Sequence, residues 1–313
     1  MTMAAAMIVA LALDALVGWP DRLYARIGHP VTWLGALIDV LDARFNREDL
    51  RGRTRRLAGV GVAIGVTVLT ILIGAGLQAL APEDGASVLL VGVLAWPLVA
   101  ARSMYDHVAA VAGPLAAEDM DGARAAVAMI VGRDPSQLDA AGLRRATLES
   151  LAENTSDGIV APLFYGVIFG LPGIMAYKAI NTLDSMIGHR NKRHADFGWA
   201  AARLDDAANL LPARLTGLIF ALVGKRTRVT FRVMGRDAAN HRSPNAGWPE
   251  AALAGALGVR LSGPRVYGDR VADEPWLNGT APDPTDDDLS EGLTLFRRTM
   301  FAVAGLLAVL AII

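Results

Sequence analysis

Long apolar runs separated by short charged stretches dominate the pattern of the chain. Residues 57–80, LAGVGVAIGVTVLTILIGAGLQAL, include no charged residue over 24 positions, and residues 86–100 form a second apolar run after the turn APEDG. The first run is long enough for a helix to cross a hydrocarbon core of about 30 Å. The two runs therefore predict a transmembrane helical hairpin.

Both ends of the sequence are apolar as well. Residues 3–19 lack a preceding basic segment and a small-residue cleavage site, so we expect a retained helix there and not a cleaved signal peptide. Residues 299–313 are short for a span, but Arg297 and Arg298 precede them and could extend to the interface. Helical signals, with turns marked by Gly and Pro, fill most of the remainder. The pattern predicts an all-α, polytopic integral membrane protein.

The placement of arginines predicts the orientation. Residues 20–56 carry eight arginines, whereas APEDG carries none. Arg and Lys near the ends of spans accumulate on the cytoplasmic side, so we expect residues 20–56 to be cytoplasmic and the chain to return there near Arg102. Residues about 103–158 are then a cytoplasmic helical insertion within one membrane-embedded catalytic domain, 1–313. A polar, acidic loop is predicted at about 271–292.

The next apolar run, residues 159–177, conflicts with this orientation, because strongly basic sequence follows it as well. The break GLPG at residues 170–173 offers a solution, in which two short re-entrant half-helices enter and leave on the same side. Irregular backbone at membrane depth is tolerated where protein or a water-filled cavity surrounds it. A single kinked span is the alternative, and residues 210–224 present the same choice.

Composition narrows the class of function. The 313 residues are 53% hydrophobic and 19% charged, whereas soluble domains are nearer a quarter charged. The net charge of −1 gives no indication of nucleic-acid binding, and the absence of cysteine excludes disulfides, thiolate nucleophiles and iron–sulfur clusters. The sequence has no standard phosphate loop or dinucleotide fingerprint, so an ATP site would have to be a non-standard one.

The first cluster of candidate chemistry is ESLAENTSDG, residues 149–158. Glu149 and Glu153 are four residues apart and share one helix face. The other polar members are Asn154, Thr155 and Asp157. Oxygen ligands at this density suit Mg²⁺, which prefers one or two carboxylates and keeps waters or phosphate oxygens. A solvated helix end with an Asp cap is the alternative.

The second cluster follows the apolar run. Lys178, Asn181 and Asp184 are spaced by three residues and share a helix face. A cationic stretch comes next and comprises His189, Arg190, Asn191, Lys192 and Arg193. Cations beside carboxylates are a usual requirement of phosphoryl chemistry, although a basic flank on the cytoplasmic side would explain the charge alone.

A third cluster contains Asp205, Asp206 and Asn209, with Arg214 inside the apolar sequence that follows. An arginine there is costly unless it is paired or faces a cavity. A weaker group near residue 243 includes Ser243 and Asn245. Asp14, within an apolar helix, is a further candidate.

From the residues alone, we interpret the protein as a membrane enzyme with Mg²⁺–phosphate chemistry on its cytoplasmic face. A transporter is one rival, although the chain shows no paired halves. The other rival is a Mg²⁺-dependent membrane prenyl- or phosphatidyl-transferase. Such enzymes gather Asp-rich motifs around Mg²⁺, and the segment LDDAANL resembles such a motif weakly.

Four long stretches together resemble the adenosylcobinamide-phosphate synthase (CobD/CbiB) family of cobalamin biosynthesis. They are LALDALVGWPDRLYARIGHPVTWLG, ESLAENTSDGIVAPLFYG, YKAINTLDSMIGHRNKRHADFGWAAARLDDAANLLPARLTG and HRSPNAGWPEAALAGALGVRL. The resemblance implies an ATP-dependent amide-forming ligase of the inner membrane. Its substrates would be adenosylcobyric acid, through a propionate carboxylate, and (R)-1-amino-2-propanol or its O-phosphate.

This resemblance also suggests roles for the candidate residues. Glu149, Glu153, Asp157 and Asp184 would hold Mg²⁺ or act as the base, and Lys178 would act on phosphate. The residues expected to bind substrate or phosphate are Asn154, Thr155, Asn181, His189, Arg190, Asn191, Lys192, Asp205, Asp206, Asn209, Arg214, Ser243 and Asn245. ATP and Mg²⁺ are the expected cofactors. The expected partners are the lipid bilayer, other membrane enzymes of the pathway and a second copy of the chain.

Overall fold

The structure, a computed structural model, describes residues 2–132, 134–189, 191–267, 270–272 and 274–313. Arg190, a predicted phosphate ligand, lies outside the described residues. The described chain is helical almost throughout, as the sequence predicts. Its α-helices are α1 (Met3–Val17), α2 (Asp21–Ile27), α3 (Pro30–Phe45), α4 (Gly52–Ala79), α5 (Ala86–Ala95), α6 (Ala101–Ala116), α7 (Met120–Ala128), α8 (Ala140–Thr155), α9 (Ala161–Ile187), α10 (Trp199–Ala208), α11 (Leu210–Val223), α12 (Thr227–Asp237), α13 (Gly247–Leu257) and α14 (Asp286–Ile312).

Short elements complete the description. Single turns of 3₁₀-helix lie at Trp96–Leu98 and Ala238–Asn240, and a π-helical turn lies at Ser156–Val160. Four short strands form two antiparallel pairs, β1 (Leu261–Ser262) with β4 (Trp276–Leu277) and β2 (Arg265–Tyr267) with β3 (Arg270–Ala272).

The chain forms two compact units, each of which is discontinuous in sequence. Unit 1 comprises Met1–Ala100, Ala161–Asn209 and Leu306–Ile313, and unit 2 comprises Ala101–Val160 and Leu210–Gly305. The first part of unit 2 covers the stretch predicted as a cytoplasmic insertion. Its position relative to the membrane, and the assignment of 1–313 as one catalytic domain, stay predictions.

Several helices are suited to a bilayer. By length and apolar composition, four helical runs among the described residues could cross a membrane, or up to six if each of two bent helix pairs is one span. α4 is the clearest case, with 28 residues and many side chains exposed along its apolar length. The prediction of a polytopic membrane protein is confirmed.

The predicted break at GLPG is a chain reversal inside α9. Gly170 has φ 67° and ψ −147°, a conformation that favours glycine. The rings of Tyr165 and Tyr177 stack with their centroids 5.3 Å apart, whereas twelve residues of straight helix would separate them by about 18 Å. Residues 161–169 and 171–187 therefore form a helical hairpin within unit 1.

The tip of this hairpin contacts the far end of α4. The Leu171 N–H donates to Oε1 of Gln78 at 2.8 Å, and Gly74 is so close that an added Cβ would lie 2.8 Å from Cα of Pro172. Gln78 follows Leu57 by 21 residues, about 32 Å along a helix. The reversal is as predicted, but residues 171–187 form about 26 Å of helix that runs back along α4, longer than the expected half-helix.

α3, α4, α9 and α10 share an apolar core in unit 1. Its fully buried members include Ile38, Ala63, Leu183 and Phe197. Gly59 permits a close approach of α4 to Phe197, because an added Cβ would lie 1.8 Å from the carbonyl oxygen of that residue. This core holds the second half of α9 against α10, and it thereby positions the polar residues that the two helices carry.

In unit 2, the first turn of α14 shortens the predicted acidic loop. The backbone N–H and the hydroxyl of Thr285 both donate to Oδ2 of Asp288, at 2.8 and 2.7 Å. Three aspartates occupy the first turn, Asp286, Asp287 and Asp288, and negative charge there is stabilised by the helix dipole. Residues 286–292 are consequently helical, although the sequence predicts loop as far as about 292.

Candidate functional site

A chain of polar side chains joins α9 to α10 within unit 1. The Tyr177 hydroxyl donates to Oδ1 of Asn209 at 2.8 Å, and Nδ2 of Asn209 donates to Oδ2 of Asp205 at 3.0 Å. Nδ2 of Asn181 lies 3.5 Å from Oδ1 of the same aspartate. We call these four residues the α9–α10 network.

Helical spacing creates this network. Tyr177 and Asn181 are four residues apart on α9, and Asp205 and Asn209 are four apart at the end of α10, so each pair shares a face. Asn209 is only 1% exposed, and both ends of its amide are hydrogen-bonded, as a buried polar group requires. Tyr165 supports the network by stacking on Tyr177 and by donating to the Ala208 carbonyl at 2.9 Å.

Charged groups lie beside the network on α9. Lys178 and Asp184 are both half-buried. Lys178 lies close to His29, and Asp184 lies close to His189 and to Asp206 of α10. The structure thus brings the α9 residues of the second predicted cluster close to Asp205, Asp206 and Asn209 of the third. Arg214, the remaining member of the third cluster, belongs to unit 2.

The loop after α9 is organised by ion pairs and a polar turn. Oδ1 of Asn191 accepts from the backbone N–H groups of Arg193 and His194, at 2.9 and 2.8 Å, which favours a turn-forming role over the predicted substrate contact. Nη2 of Arg193 donates to Oδ2 of Asp42 at 2.5 Å. Lys192 and His189 remain exposed.

The predicted first cluster lies on α8 and the following π-helical turn, in unit 2. Oε1 of Glu149 accepts from the backbone N–H of Ser262 at 2.8 Å, and the side chain is buried. This arrangement favours a structural role for Glu149 over the predicted metal-binding or catalytic role. The Thr155 hydroxyl donates to the Leu151 carbonyl at 2.6 Å, so it too bonds within the helix.

The remaining members of this cluster are more accessible. Nδ2 of Asn154 donates to the carbonyl oxygen of Ser150 at 3.0 Å. Glu153 is exposed, and Asp157 is half-buried in the π-helical turn Ser156–Val160. π-helical turns occur frequently at functional sites, so Glu153 and Asp157 remain the functional candidates of α8.

Arg214, also in unit 2, has several partners. It donates to the Leu210 carbonyl at 2.6 Å and to Oδ1 of Asn245 at 3.3 Å, and its guanidinium lies 4.7 Å from the ring centre of Trp248. Oγ of Ser243 accepts from the backbone N–H groups of Asn245 and Ala246, both at 3.2 Å. Ser243 therefore organises the turn that precedes α13, and Asn245 anchors the arginine.

The four predicted Mg²⁺ ligands lie on α8, on the π-helical turn after it and on α9. Among the described residues, no three or more His, Asp or Glu side chains are grouped so that they could hold a metal ion. The four predicted ligands Glu149, Glu153, Asp157 and Asp184 therefore do not form a ready-made centre. A Mg²⁺ ion that arrives on substrate phosphates needs only one or two protein carboxylates, and the half-buried Asp184 fits that requirement.

Sequence reasoning missed two groups. Tyr177 could have been found from its position four residues before Asn181. The second group, in unit 2, is Asp283 with two arginines: Arg260 donates to it through Nε at 2.9 Å, and Arg145 on α8 also donates to it. The hydrogen bond from Arg260, joined by that from Arg145, lowers the pKa of Asp283 below its ordinary value. No local pattern marks pairs so distant in sequence.

Comparison with known proteins agrees with the motifs. A family model described as CobD/Cbib protein matches residues 7–296. Similar proteins include a cobalamin biosynthesis protein CobD of Rhodobacter capsulatus, 63% identical over 99% of this chain and 99% of the relative. Proteins of the same name from Brucella suis and Rhizobium meliloti are 47% and 43% identical, over 95% and 93% of this chain and 94% and 91% of the relatives. No solved structure matches the chain. The chain belongs to the CobD/CbiB family of cobalamin biosynthesis proteins.

Proposed function

We propose that this protein is an adenosylcobinamide-phosphate synthase. It would join (R)-1-amino-2-propanol O-phosphate, or free aminopropanol, to a propionate carboxylate of adenosylcobyric acid by an ATP-dependent amide ligation. Membership of the CobD/CbiB family over nearly the whole chain is the observation that carries the proposal. The α9–α10 network, with Lys178 beside it, supplies polar groups suited to this chemistry.

The reaction needs an activated carboxylate. In the simplest route, an oxygen of the propionate attacks the γ-phosphorus of ATP and releases ADP, which gives an acyl phosphate. The amine then attacks the acyl carbon, the amide bond forms, and inorganic phosphate leaves. Because the amine enters as an ammonium group, a base must remove a proton before the attack.

We assign roles in unit 1 from charge and position. Lys178, a half-buried cation, would neutralise phosphate oxygens as the phosphoryl group moves. Asp205 would orient a donor group of the substrate, since Asn181 and Asn209 already hold its carboxylate in place. Asp184 would accept the ammonium proton or contact a Mg²⁺ ion that ATP carries.

The accessible residues of unit 2 enter the proposal separately. Glu153 and Asp157 on α8 and its π-helical turn would contact the amide-rich corrinoid or a phosphate-bound Mg²⁺ ion. Structural roles, through hydrogen bonds to backbone groups, are proposed for Glu149, Thr155 and Ser243 of unit 2 and for Asn191 of unit 1. We further propose that the active site faces the cytoplasm, where ATP is available, and that the host membrane is the inner membrane.

Product formation tests the proposal. Purified protein in detergent would receive adenosylcobyric acid, aminopropanol phosphate, ATP and Mg²⁺, and chromatography would follow the corrinoid. The expected result is one new corrinoid, whose mass increases by that of the amine minus water, with stoichiometric ADP and phosphate. Omission of ATP should abolish it.

Two other outcomes would redirect the assignment. Formation of the amide with release of AMP and pyrophosphate would contradict the acyl-phosphate route, but the assignment as an ATP-dependent ligase would stand. No product from folded protein, together with turnover of isoprenoid or CDP-alcohol donors, would support the rival lipid-linked transferase.

A further inference from the structure

α12 has two faces of opposite character, both within unit 2. Its buried side chains are Thr230, Val233, Met234 and Asp237, which follow the spacing of a helix face packed on a core. α12 lies against α13 on this side. The outward face carries three of the basic residues of the sequence KRTRVTFRVMGR, positions 225–236.

Three arginines form a row on the outward face. Arg228, Arg232 and Arg236 are spaced four residues apart, and all three are exposed. Arg236 is paired with Asp237 at 2.6 Å. In the part of the chain that the structure describes, Arg228 and Arg232 show no carboxylate at ion-pair distance. Like charges four apart destabilise an isolated helix, so this row favours an anionic partner.

Apolar side chains flank the arginine row. Val229 is 40% exposed and Phe231 is 42% exposed, and a helical projection places them on opposite sides of the buried face. An exposed phenylalanine beside arginines is the pattern of helices that lie in the interface of a bilayer, with basic groups at the headgroups and apolar groups below them.

The preceding helix, α11, has an exposed apolar stripe suited to contact with a bilayer. α11 exposes Leu211, Leu218 and Leu222, whose spacing of seven and four residues places them in one stripe. α11 also belongs to one of the bent pairs that are apolar enough to span a membrane. Residues 224–226 connect α11 to α12, so the start of α12 at Thr227 lies at most about 18 Å from Leu222, the last member of the leucine stripe.

We propose that the outward face of α12 is a docking surface for anionic lipid headgroups. Arg228 and Arg232 contact the phosphates, and Phe231 inserts beside them at the level of the glycerol groups. Two observations carry the inference: the positive charge of the face complements a negatively charged leaflet, and only residues 224–226 separate α12 from the helix that carries the leucine stripe. The inference does not depend on the proposed ligase activity.

The absence of cysteine in the chain permits a direct test. Gly235 lies beside Phe231 and Arg232 on the outward face, and an added Cβ there meets no atom within 4 Å. Gly235→Cys would carry a polarity-sensitive fluorophore, and the protein would be placed in nanodiscs of phosphatidylcholine, with or without phosphatidylglycerol. Gly113→Cys, on α6, is the matched control, since it too is an exposed helical glycine with open space.

The expected result is a blue shift of the label at residue 235 when phosphatidylglycerol is present, with no shift of the label at residue 113. High salt should reduce the shift, because screening weakens the attraction between exposed charges. Arg228→Gln/Arg232→Gln in the Gly235→Cys background should abolish it, while the protein stays monodisperse. Equal emission in both lipids, or an equal shift at residue 113, would overturn the proposal. A shift that survives the double substitution would overturn the role of the arginines.

Discussion

The polar residues of α8 and those of the α9–α10 network both include carboxylate, amide and hydroxyl side chains, but these side chains have different hydrogen-bond partners. On α8, the buried carboxylate of Glu149 accepts from the backbone of Ser262, 113 residues away in sequence. In the network, Tyr177, Asn209 and Asp205 bond to one another through their side chains. The first arrangement fixes a strand to a helix, whereas the second holds a set of functional groups in a defined geometry.

This contrast shows why residue type alone does not identify a site. A buried carboxylate whose oxygen accepts from a backbone N–H is held by the fold, and its loss leaves that donor unsatisfied. A half-buried aspartate whose oxygens accept from two amides, such as Asp205, is held in one orientation. Enzymes use polar side chains that are held in a fixed geometry in this way, as Asp205 is.

The largest expected effect concerns the cation beside the network. Lys178→Ala should lower kcat/KM for the proposed ligation by roughly 10²–10³-fold, the usual effect of removing one group that stabilises developing charge. The control is Arg47→Ala, which removes an exposed ion pair with Asp49 and should leave kcat/KM near that of wild type. Wild-type kinetics in folded Lys178→Ala would remove this lysine from the site.

The hairpin tip that positions α9 gives the next effect. Gly170→Ala forces an L-residue into φ 67°, ψ −147° and places Cβ 2.1 Å from Oε1 of Gln78. A residue held in such a region costs about 1–3 kcal/mol, so the apparent Tm in detergent should fall.

Gly76→Ala is the matched control for the hairpin tip. Gly76 lies on α4 with no atom within 4 Å of an added Cβ, and alanine is favoured over glycine in a helix by about 1 kcal/mol. Its Tm should stay equal or rise slightly. An unchanged Tm for Gly170→Ala would show that the chain does not reverse at this residue.

A smaller effect is expected where Arg260 and Arg145 hold Asp283 in unit 2. Asp283→Asn should destabilise the protein by about 1 kcal/mol near neutral pH, since charge-assisted hydrogen bonds are lost from a partly exposed site. The lowered pKa of Asp283 means that its contribution is complete above its ordinary pKa, about 3.9, and is lost as the pH falls through the lowered value.

Melting curves of wild type and Asp283→Asn should therefore differ at pH 7 and approach each other as the pH falls below about 4. Asp49→Asn serves as the control, because the partner of Asp49 is exposed Arg47 and such pairs contribute little. A difference that stays constant with pH would mean that the Asp283 charge has no role.

Local patterns predicted much of the fold. The uncharged run at 57–80 predicted α4, and the GLPG break predicted the reversal at Gly170, because a glycine and a proline interrupt helix propagation. Periodicity also placed Asn181 and Asp184 on one face of α9. These features depend on residues a few positions apart.

The rest depends on contacts between distant segments. The contact of Glu149 with the N–H of Ser262 could not be predicted, because a backbone group has no sequence signature. Similarly, unit 2 combines Ala101–Val160 with Leu210–Gly305, and no composition change marks that division. The start of α14 at Asp286 was missed because acidic residues indicated a loop, although they stabilise a helix N-terminus.

The most direct test of the central contrast compares Asp205→Asn with Glu149→Ala in one preparation, with both ligation kinetics and thermal unfolding measured. Asp205→Asn should lower the Tm only slightly, because its one remaining oxygen can still accept from Nδ2 of buried Asn209 and only the 3.5 Å contact with Asn181 is lost. The same substitution should remove most of kcat/KM, because the carboxylate is gone. Glu149→Ala should lower the stability by about 1–3 kcal/mol and keep the activity per folded molecule. Full activity of Asp205→Asn, or a stable but inactive Glu149→Ala, would contradict the division between a functional network on α9–α10 and a structural carboxylate on α8.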